Sequence, residues 1–265
     1  MRDPTPAETG ALRTIVTEDR EDLAEQAGDL LLSLIQEAVG ARGGAWVVLA
    51  GGTTPRPAYA RLARGLVDRA VPIGNVSWMI GDERWVPRED AQSNERMARE
   101  SLLGPLGAPE VSIASWNAGA GEPLQRAADY ATRVEDALAH GARGPDLVVL
   151  GMGADGHTAS LFPGAVAHLP DGRRIPVAPR MGAFAAAIEG PPDRGWRLTL
   201  CPDFLRTSRH VVFLVAGSDR VPALLRARRG DPATPAAWIR GAHTHFIVTR
   251  DAMGPERDLG DIRLA

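Results

Sequence analysis

Residues 146–164 read Asp-Leu-Val-Val-Leu-Gly-Met-Gly-Ala-Asp-Gly-His-Thr-Ala-Ser-Leu-Phe-Pro-Gly. The apolar run Leu147–Leu150, bounded by turn residues, is the pattern of a buried parallel strand. In open α/β sheets ligands bind outside the carboxyl ends of the strands, and the glycine loop at that end carries Asp155 and His157. The same loop contains Gly151-x-Gly153-x-x-Gly156, which as a lone match is weak evidence for a dinucleotide. Asp155 stands where a pyrophosphate would be repelled. No acid closes a following strand about 20 residues on, since Asp171 and Glu189 fall in segments read as irregular. The nucleotide reading is therefore rejected.

Strand and helix signals alternate through the rest of the chain. Leu12 to Thr17 is a short strand, and Leu23, Ala27, Leu30, Leu31, Leu34, Ile35 and Ala38 keep helical spacing up to a stop at Gly40. Trp46–Ala50 and Val76–Ile80 are further buried strands. Pro55 opens a helix that continues through Tyr59, Leu62 and Leu66, and Ser93 caps one running to Leu103. Leu124 to Leu138 forms the helix before the 146–150 strand. Val211–Val215 and His245–Thr249 complete the strands, with a helix from the 217–220 loop to Arg228. This predicts an α/β three-layer sandwich whose mainly parallel sheet is covered on both faces. A less regular segment, about 163–200, is open to reading as an antiparallel edge or a small subdomain. Residues 1–265 are expected to form a single domain.

Composition narrows the chemistry. All 30 basic residues are arginine, so lysine Schiff bases and P-loop lysines are impossible, and anions must be held by arginine, backbone N–H groups or hydroxyls. The net charge of −3 argues against nucleic acid as the main partner. The single cysteine, Cys201, excludes an intrachain disulfide framework and favours a reducing compartment. Met1–Gly10 is unlike a signal peptide, and no apolar stretch approaches a membrane span. The expectation is a soluble cytoplasmic chain, a monomer or weak homo-oligomer, with no metal site. His243, His245, Cys201 and the tryptophans show no ligand spacing and are read as structural.

Three more loops follow strands. Gly51-Gly52-Thr53-Thr54-Pro55 suits an anion, since its glycines allow close backbone approach and its N–H groups open a helix. A plain tight turn reads equally well on local evidence. Gly81-Asp82-Glu83-Arg84 is either a solvated turn or a substrate-facing cluster in which Arg84 offers a planar fork for phosphate. In Gly217-Ser218-Asp219-Arg220, Arg220 either reaches back over the sheet edge or sits on the surface. For His157 the bland alternative is a capping histidine.

Four blocks in order resemble the 6-phosphogluconolactonases, which group with glucosamine-6-phosphate deaminases and ribose-5-phosphate isomerases in a Rossmann-like superfamily. They are residues 47–55, 81–87 with Ser93-Asn94, 146–164, and 197–217. The resemblance implies hydrolysis of a phosphosugar lactone, 6-phosphoglucono-1,5-lactone, to 6-phosphogluconate in the oxidative pentose phosphate pathway. It makes His157 the general base that activates water, with Asp155 orienting the ring and glycine-loop N–H groups receiving the oxyanion, and it implies no metal or organic cofactor. Gly51, Gly52, Thr53, Thr54, Asp82, Arg84, Asn94, Gly153 and Arg220 become the substrate-binding set. Arg220 replaces a lysine commoner in the family, and Thr53 a serine.

Two rivals remain. A deaminase shares the Asp-Gly-His but needs a glutamate where this chain has Phe162. A silent sugar-phosphate sensor would keep the fold without turnover.

Overall fold

The computed structural model describes residues 12–141, 143–190, 195–254 and the backbone of 262–264. In chain order the strands are β1 (Leu12–Thr17), β2 (Ala45–Leu49), β3 (Val76–Ile80), β4 (Asp82–Arg84), β5 (Ile113–Ala114), β6 (Leu147–Gly151), β7 (Val166–His168), β8 (Arg174–Pro176), β9 (Ala185–Glu189), β10 (Trp196–Leu200), β11 (His210–Val215), β12 (His243–Thr249) and β13 (Ile262–Leu264). The helices are α1 (Arg20–Arg42), α2 (Pro55–Asp68), α3 (Asn94–Ala98), α4 (Pro123–Ala139), α5 (Pro202–Leu205), α6 (Val221–Arg229), α7 (Pro235–Trp238) and α8 (Arg250–Met253).

Eight strands make one sheet in the order β13-β1-β12-β11-β6-β2-β3-β5, and each pairing in it is parallel. The all-apolar runs explain why. Leu147–Leu150 and Val211–Val215 are buried along their whole length, which a strand achieves only with a layer on each face. Helices α1 and α2 pack together, and α1 lies against β2, β6, β11 and β12. Helix α4 packs on β9 and β10, and its buried Tyr130 hydroxyl donates to the Ile80 carbonyl.

Helix α1 runs past Gly40, the stop expected from sequence, and ends at Gly43. One glycine inside a helix costs about 1 kcal/mol, which the buried row Leu31, Leu34, Ile35 and Ala38 offsets. Gly43 has φ 77° and donates its N–H to the Val39 carbonyl, the left-handed cap that ends helices. At the other end Asp19 accepts the N–H groups of Glu21 and Asp22.

The segment read as irregular carries a second sheet, antiparallel, in the order β4-β10-β9-β7-β8. Its inner strand β9 is Ala-Ala-Ala-Ile-Glu, low in β-branched and aromatic residues. Burial between neighbours, not propensity, makes it a strand. Glu189 therefore closes a strand, a correction to the sequence reading. That strand is antiparallel and outside the main sheet, so it gives the nucleotide fingerprint no support. Among the described residues no helix is long and apolar enough to cross a membrane.

Candidate active site

The main sheet changes direction between β2 and β6. From β2 the chain moves outward through β3 to β5, then returns to the other side of β2 with β6 and continues outward to β11 and β12. Loops leaving β2 and β6 therefore diverge and open a crevice at the strands' carboxyl ends. A cavity of about 270 Å³ lies there. It is lined by Gly51, Gly52, Thr53, Thr54, Asp82, Arg84, Asn94, Gly153, His157 and Arg220. Of the catalytic and substrate-binding residues expected from sequence, Asp155 alone is not on its wall; it is bonded to His157, which is. A larger cavity, about 710 Å³, opens at the opposite end of the sheet around Trp46 and Trp78. No histidine lines it, and its Arg42 is paired with Asp146 at 2.8 Å; the smaller cavity is the one lined by His157.

The loop after β6 is closed on itself. Gly153 N–H donates to the His157 carbonyl at 2.9 Å, and Gly156 N–H to the Gly153 carbonyl at 3.0 Å. Asp155 Oδ1 accepts the His157 backbone N–H at 3.1 Å and lies 2.5 Å from its ring Nδ1. A carboxylate bonding the backbone two residues on is a common turn device; here it also seats the ring. The His157 hydrogen bond, against the cost of partial burial, holds the Asp155 carboxyl down at about 2. An ionised carboxylate only accepts, so Nδ1 carries the proton and the neutral ring has its lone pair on Nε2. A Cβ at Gly153 would sit 2.2 Å from His157 Nδ1, so only glycine fits against this imidazole. Phe162 supports the ring from the side, with centroids 4.7 Å apart.

The loop after β2 meets Asn94. A Cβ at Gly51 would fall 1.9 Å from the Asn94 carboxamide, whose Nδ2 donates to the Asp82 carbonyl at 2.8 Å. Asn94 thus lies across the glycine turn and links it to β4. Thr54 is the first residue before α2, with no side-chain capping bond, and Pro55 occupies the first helical turn. The N–H groups of this turn open a 14-residue helix, a favourable place for an anion.

The three charges after β3 separate in role. Glu83 is buried, and its oxygens accept the N–H groups of Arg84, Asn94 and Glu95 at 2.7–2.8 Å and the Ser93 hydroxyl at 2.9 Å. It caps α3 from outside, beside the Ser93 cap expected from sequence, whose Oγ accepts from Arg96 N–H at 3.1 Å. Asp82 is also buried and accepts from the Ser160 hydroxyl at 2.7 Å. Burial pushes its carboxyl up, opposed by the Ser160 bond and the charges of Arg84, His157 and Arg197. Arg84 reaches the Gln92 carbonyl and stays on the cavity wall. Arg220 crosses from the loop after β11: its Nε donates to the Met152 carbonyl at 3.1 Å, and Nη1 pairs with Asp219 at 2.5 Å. Of its two readings, the reach over the sheet edge is the one found.

A second cavity, about 300 Å³, shares Asp82, Arg84 and His157 with the first and adds Ser160, Phe162 and Arg197. Sequence reasoning missed Ser160 and Arg197. Arg197 opens the Arg-Leu-Thr-Leu block, and alternation in β10 puts it on the same face as Thr199, which faces the His157 loop. No cluster of three or more His, Cys, Asp or Glu able to hold a metal occurs among the described residues.

Comparison with known proteins agrees with this architecture. A 6-phosphogluconolactonase of Synechocystis sp. is 35% identical over 229 residues, 84% of this chain and 88% of its own. The crystal structure of 6-phosphogluconolactonase from Thermotoga maritima superposes with a TM-score of 0.76 at 25% identity, covering 91% of this chain and all of that one. A monomeric glucosamine-6-phosphate deaminase superposes with a TM-score of 0.75 at 17% identity, over 91% of this chain and 98% of its own; that likeness speaks for the fold alone. The family profile described as glucosamine-6-phosphate isomerases/6-phosphogluconolactonase matches residues 18–248. The chain belongs to the glucosamine-6-phosphate isomerase/6-phosphogluconolactonase family.

Proposed function

We propose that this chain hydrolyses 6-phospho-D-glucono-1,5-lactone to 6-phospho-D-gluconate in the oxidative pentose phosphate pathway. The observation that carries the reading is His157, seated by Asp155, on the wall of a small polar cavity at the sheet's switch point. Backbone N–H groups of Gly52 to Thr54, with Arg84 and Arg220, bind the phosphate. His157 Nε2 takes a proton from water as the water oxygen bonds to C1, giving a tetrahedral oxyanion. The bond from C1 to the ring oxygen then breaks, and the imidazolium returns its proton to that oxygen. The new carboxylic acid ionises, so one water is consumed and no redox change occurs. Asp155 keeps Nδ1 protonated throughout and stabilises the transient imidazolium.

Phe162 favours hydrolysis over deamination. Isomerising an amino sugar needs an additional acid, and the ring of Phe162 packs on His157 where the deaminase motif has its glutamate. The loops of both sheets build the site, which supports one functional domain, and the single buried cysteine suits a reducing cytoplasm.

The test generates the lactone with glucose-6-phosphate dehydrogenase and follows 6-phosphogluconate formation. The wild-type protein should exceed the spontaneous rate many-fold. A rate equal to buffer refutes the reading, and ammonia release from glucosamine 6-phosphate assigns the chain to the deaminase branch.

A further inference from the structure

Arg197 and Arg84 stand directly opposite each other in the antiparallel β4–β10 ladder. Like charges in register destabilise a sheet, and negative charge close to both offsets that cost; Asp82, on the wall of the same cavity, supplies part of it. Thr199, two residues on and on the same face, pairs in register with Asp82. Its hydroxyl oxygen accepts the Ser160 N–H at 3.3 Å. That contact fixes the face of β10 carrying Arg197 over the loop that holds His157. Arg197 and Arg84 then line the second cavity with His157 and Phe162. The acid in that cavity, Asp82, accepts from the Ser160 hydroxyl at 2.7 Å and lies in the field of both arginines.

The two cavities divide the substrate. The first has the glycine turn and Arg220, which suit the phosphate; the second has neither and adjoins the first along Asp82, Arg84 and His157. Negative charge appears during hydrolysis at C1, next to the base, first as an oxyanion and then as a carboxylate. We propose that Arg197 is a substrate-contacting residue that holds the C1 oxygens, stabilising the oxyanion and afterwards the product carboxylate. This rests on the lactonase reading and adds a cation to the backbone donors expected from sequence. An arginine fork matches two carboxylate oxygens at once, which a lysine ammonium does not.

The experiment compares two ligands that differ only at C1: 6-phosphogluconate, with a carboxylate, and D-glucitol 6-phosphate, with a hydroxymethyl group. Calorimetric titration of Arg197→Met should raise the Kd of 6-phosphogluconate about tenfold or more while leaving glucitol 6-phosphate within about twofold. Its kcat should fall by about 10²–10³. Equal weakening of both ligands would mean that Arg197 binds phosphate, and no weakening of either would remove it from the site; each overturns the proposal. Wild-type protein that binds neither ligand overturns the lactonase reading, and this proposal with it. Wild-type turnover together with an Arg197 substitution that shifts the Kd of both ligands equally overturns this proposal alone. If Arg197→Met does not fold, Arg197→Lys must still weaken 6-phosphogluconate more than glucitol 6-phosphate relative to wild type, and equal shifts of the two refute the assignment.

Discussion

Asp155 Oδ1 binds His157 twice, at the ring Nδ1 (2.5 Å) and at the backbone N–H (3.1 Å). One oxygen therefore fixes both the turn that presents the histidine and the tautomer the ring adopts. The two functions are coupled because the residues are only two apart, a spacing at which an Asp side chain naturally reaches the backbone ahead of it.

Asp155→Asn separates those functions. An asparagine can still accept the backbone N–H, so the turn survives. Its amide no longer compels Nδ1 to carry the proton, and it cannot stabilise imidazolium by charge. We expect kcat to fall by about 10²–10⁴, as when a triad carboxylate is made neutral, with KM changed little. Steady-state kinetics check this; unchanged kcat would show that the carboxylate only shapes the loop.

Gly153→Ala tests the fit of the ring. The new Cβ would lie 2.2 Å from both Nδ1 and Cε1 of His157 and 2.6 Å from Asp155 Oδ1, all below contact distance. The imidazole must move, and a displacement of about 1 Å costs on the order of 10²-fold in rate. Phosphate binding, which depends on other loops, should persist. The variant should bind 6-phosphogluconate within about threefold of wild type while turning over poorly. Normal turnover would mean that His157 is not confined by this glycine.

Much of this site is written locally. Gly51, Gly52, Asp155, His157 and Arg220 follow apolar strands directly, so strand direction alone brings them to one sheet edge. The antiparallel sheet was harder to read, because strands such as Ala185–Glu189 lack β-branched periodicity and form through pairing with distant partners. Arg197 and Ser160 were missed for the same reason. Their contacts join β10, β4 and the His157 loop across up to 78 residues of chain. Glu83 looked like one of three loop charges, yet three of its four partners are 10 to 12 residues ahead, and burial decides its role.

A second cluster sets the acid limit of the fold. His210 and His245 are buried on β11 and β12, with Nδ1 and Nε2 3.5 Å apart, and His243 stacks on His210 at 4.9 Å. Burial, then a neighbouring histidine's charge, lowers both His210 and His245 to about 4. Unfolded histidines titrate near 6.5, so below that pH the unfolded chain binds more protons than the fold. Stability is thus complete above about pH 6.5 and declines as pH falls toward 4, by on the order of 1–3 kcal/mol at pH 5. Melting temperatures at pH 7 and pH 5 should differ less for His245→Gln than for wild type. Equal differences would place the acid sensitivity elsewhere.

Glu83→Gln addresses how the cavity-lining loop of Asp82 and Arg84 is held. Each carboxylate oxygen of Glu83 accepts two hydrogen bonds: Oε1 from the N–H groups of Arg84 and Asn94, Oε2 from Glu95 N–H and the Ser93 hydroxyl. Glutamine keeps one acceptor oxygen and turns an NH₂ toward the other pair, where at least one backbone N–H is left buried without a partner. The charge that complements the start of α3 is also lost. Together these should destabilise the protein by about 2–4 kcal/mol. Arg84 and Asn94 both line the cavity, so loosening this cap should raise KM more than it lowers kcat. Denaturant unfolding and steady-state kinetics on the same preparation check both effects. A stability loss with unchanged KM would make Glu83 a cap for the helix alone, uncoupled from the position of Arg84.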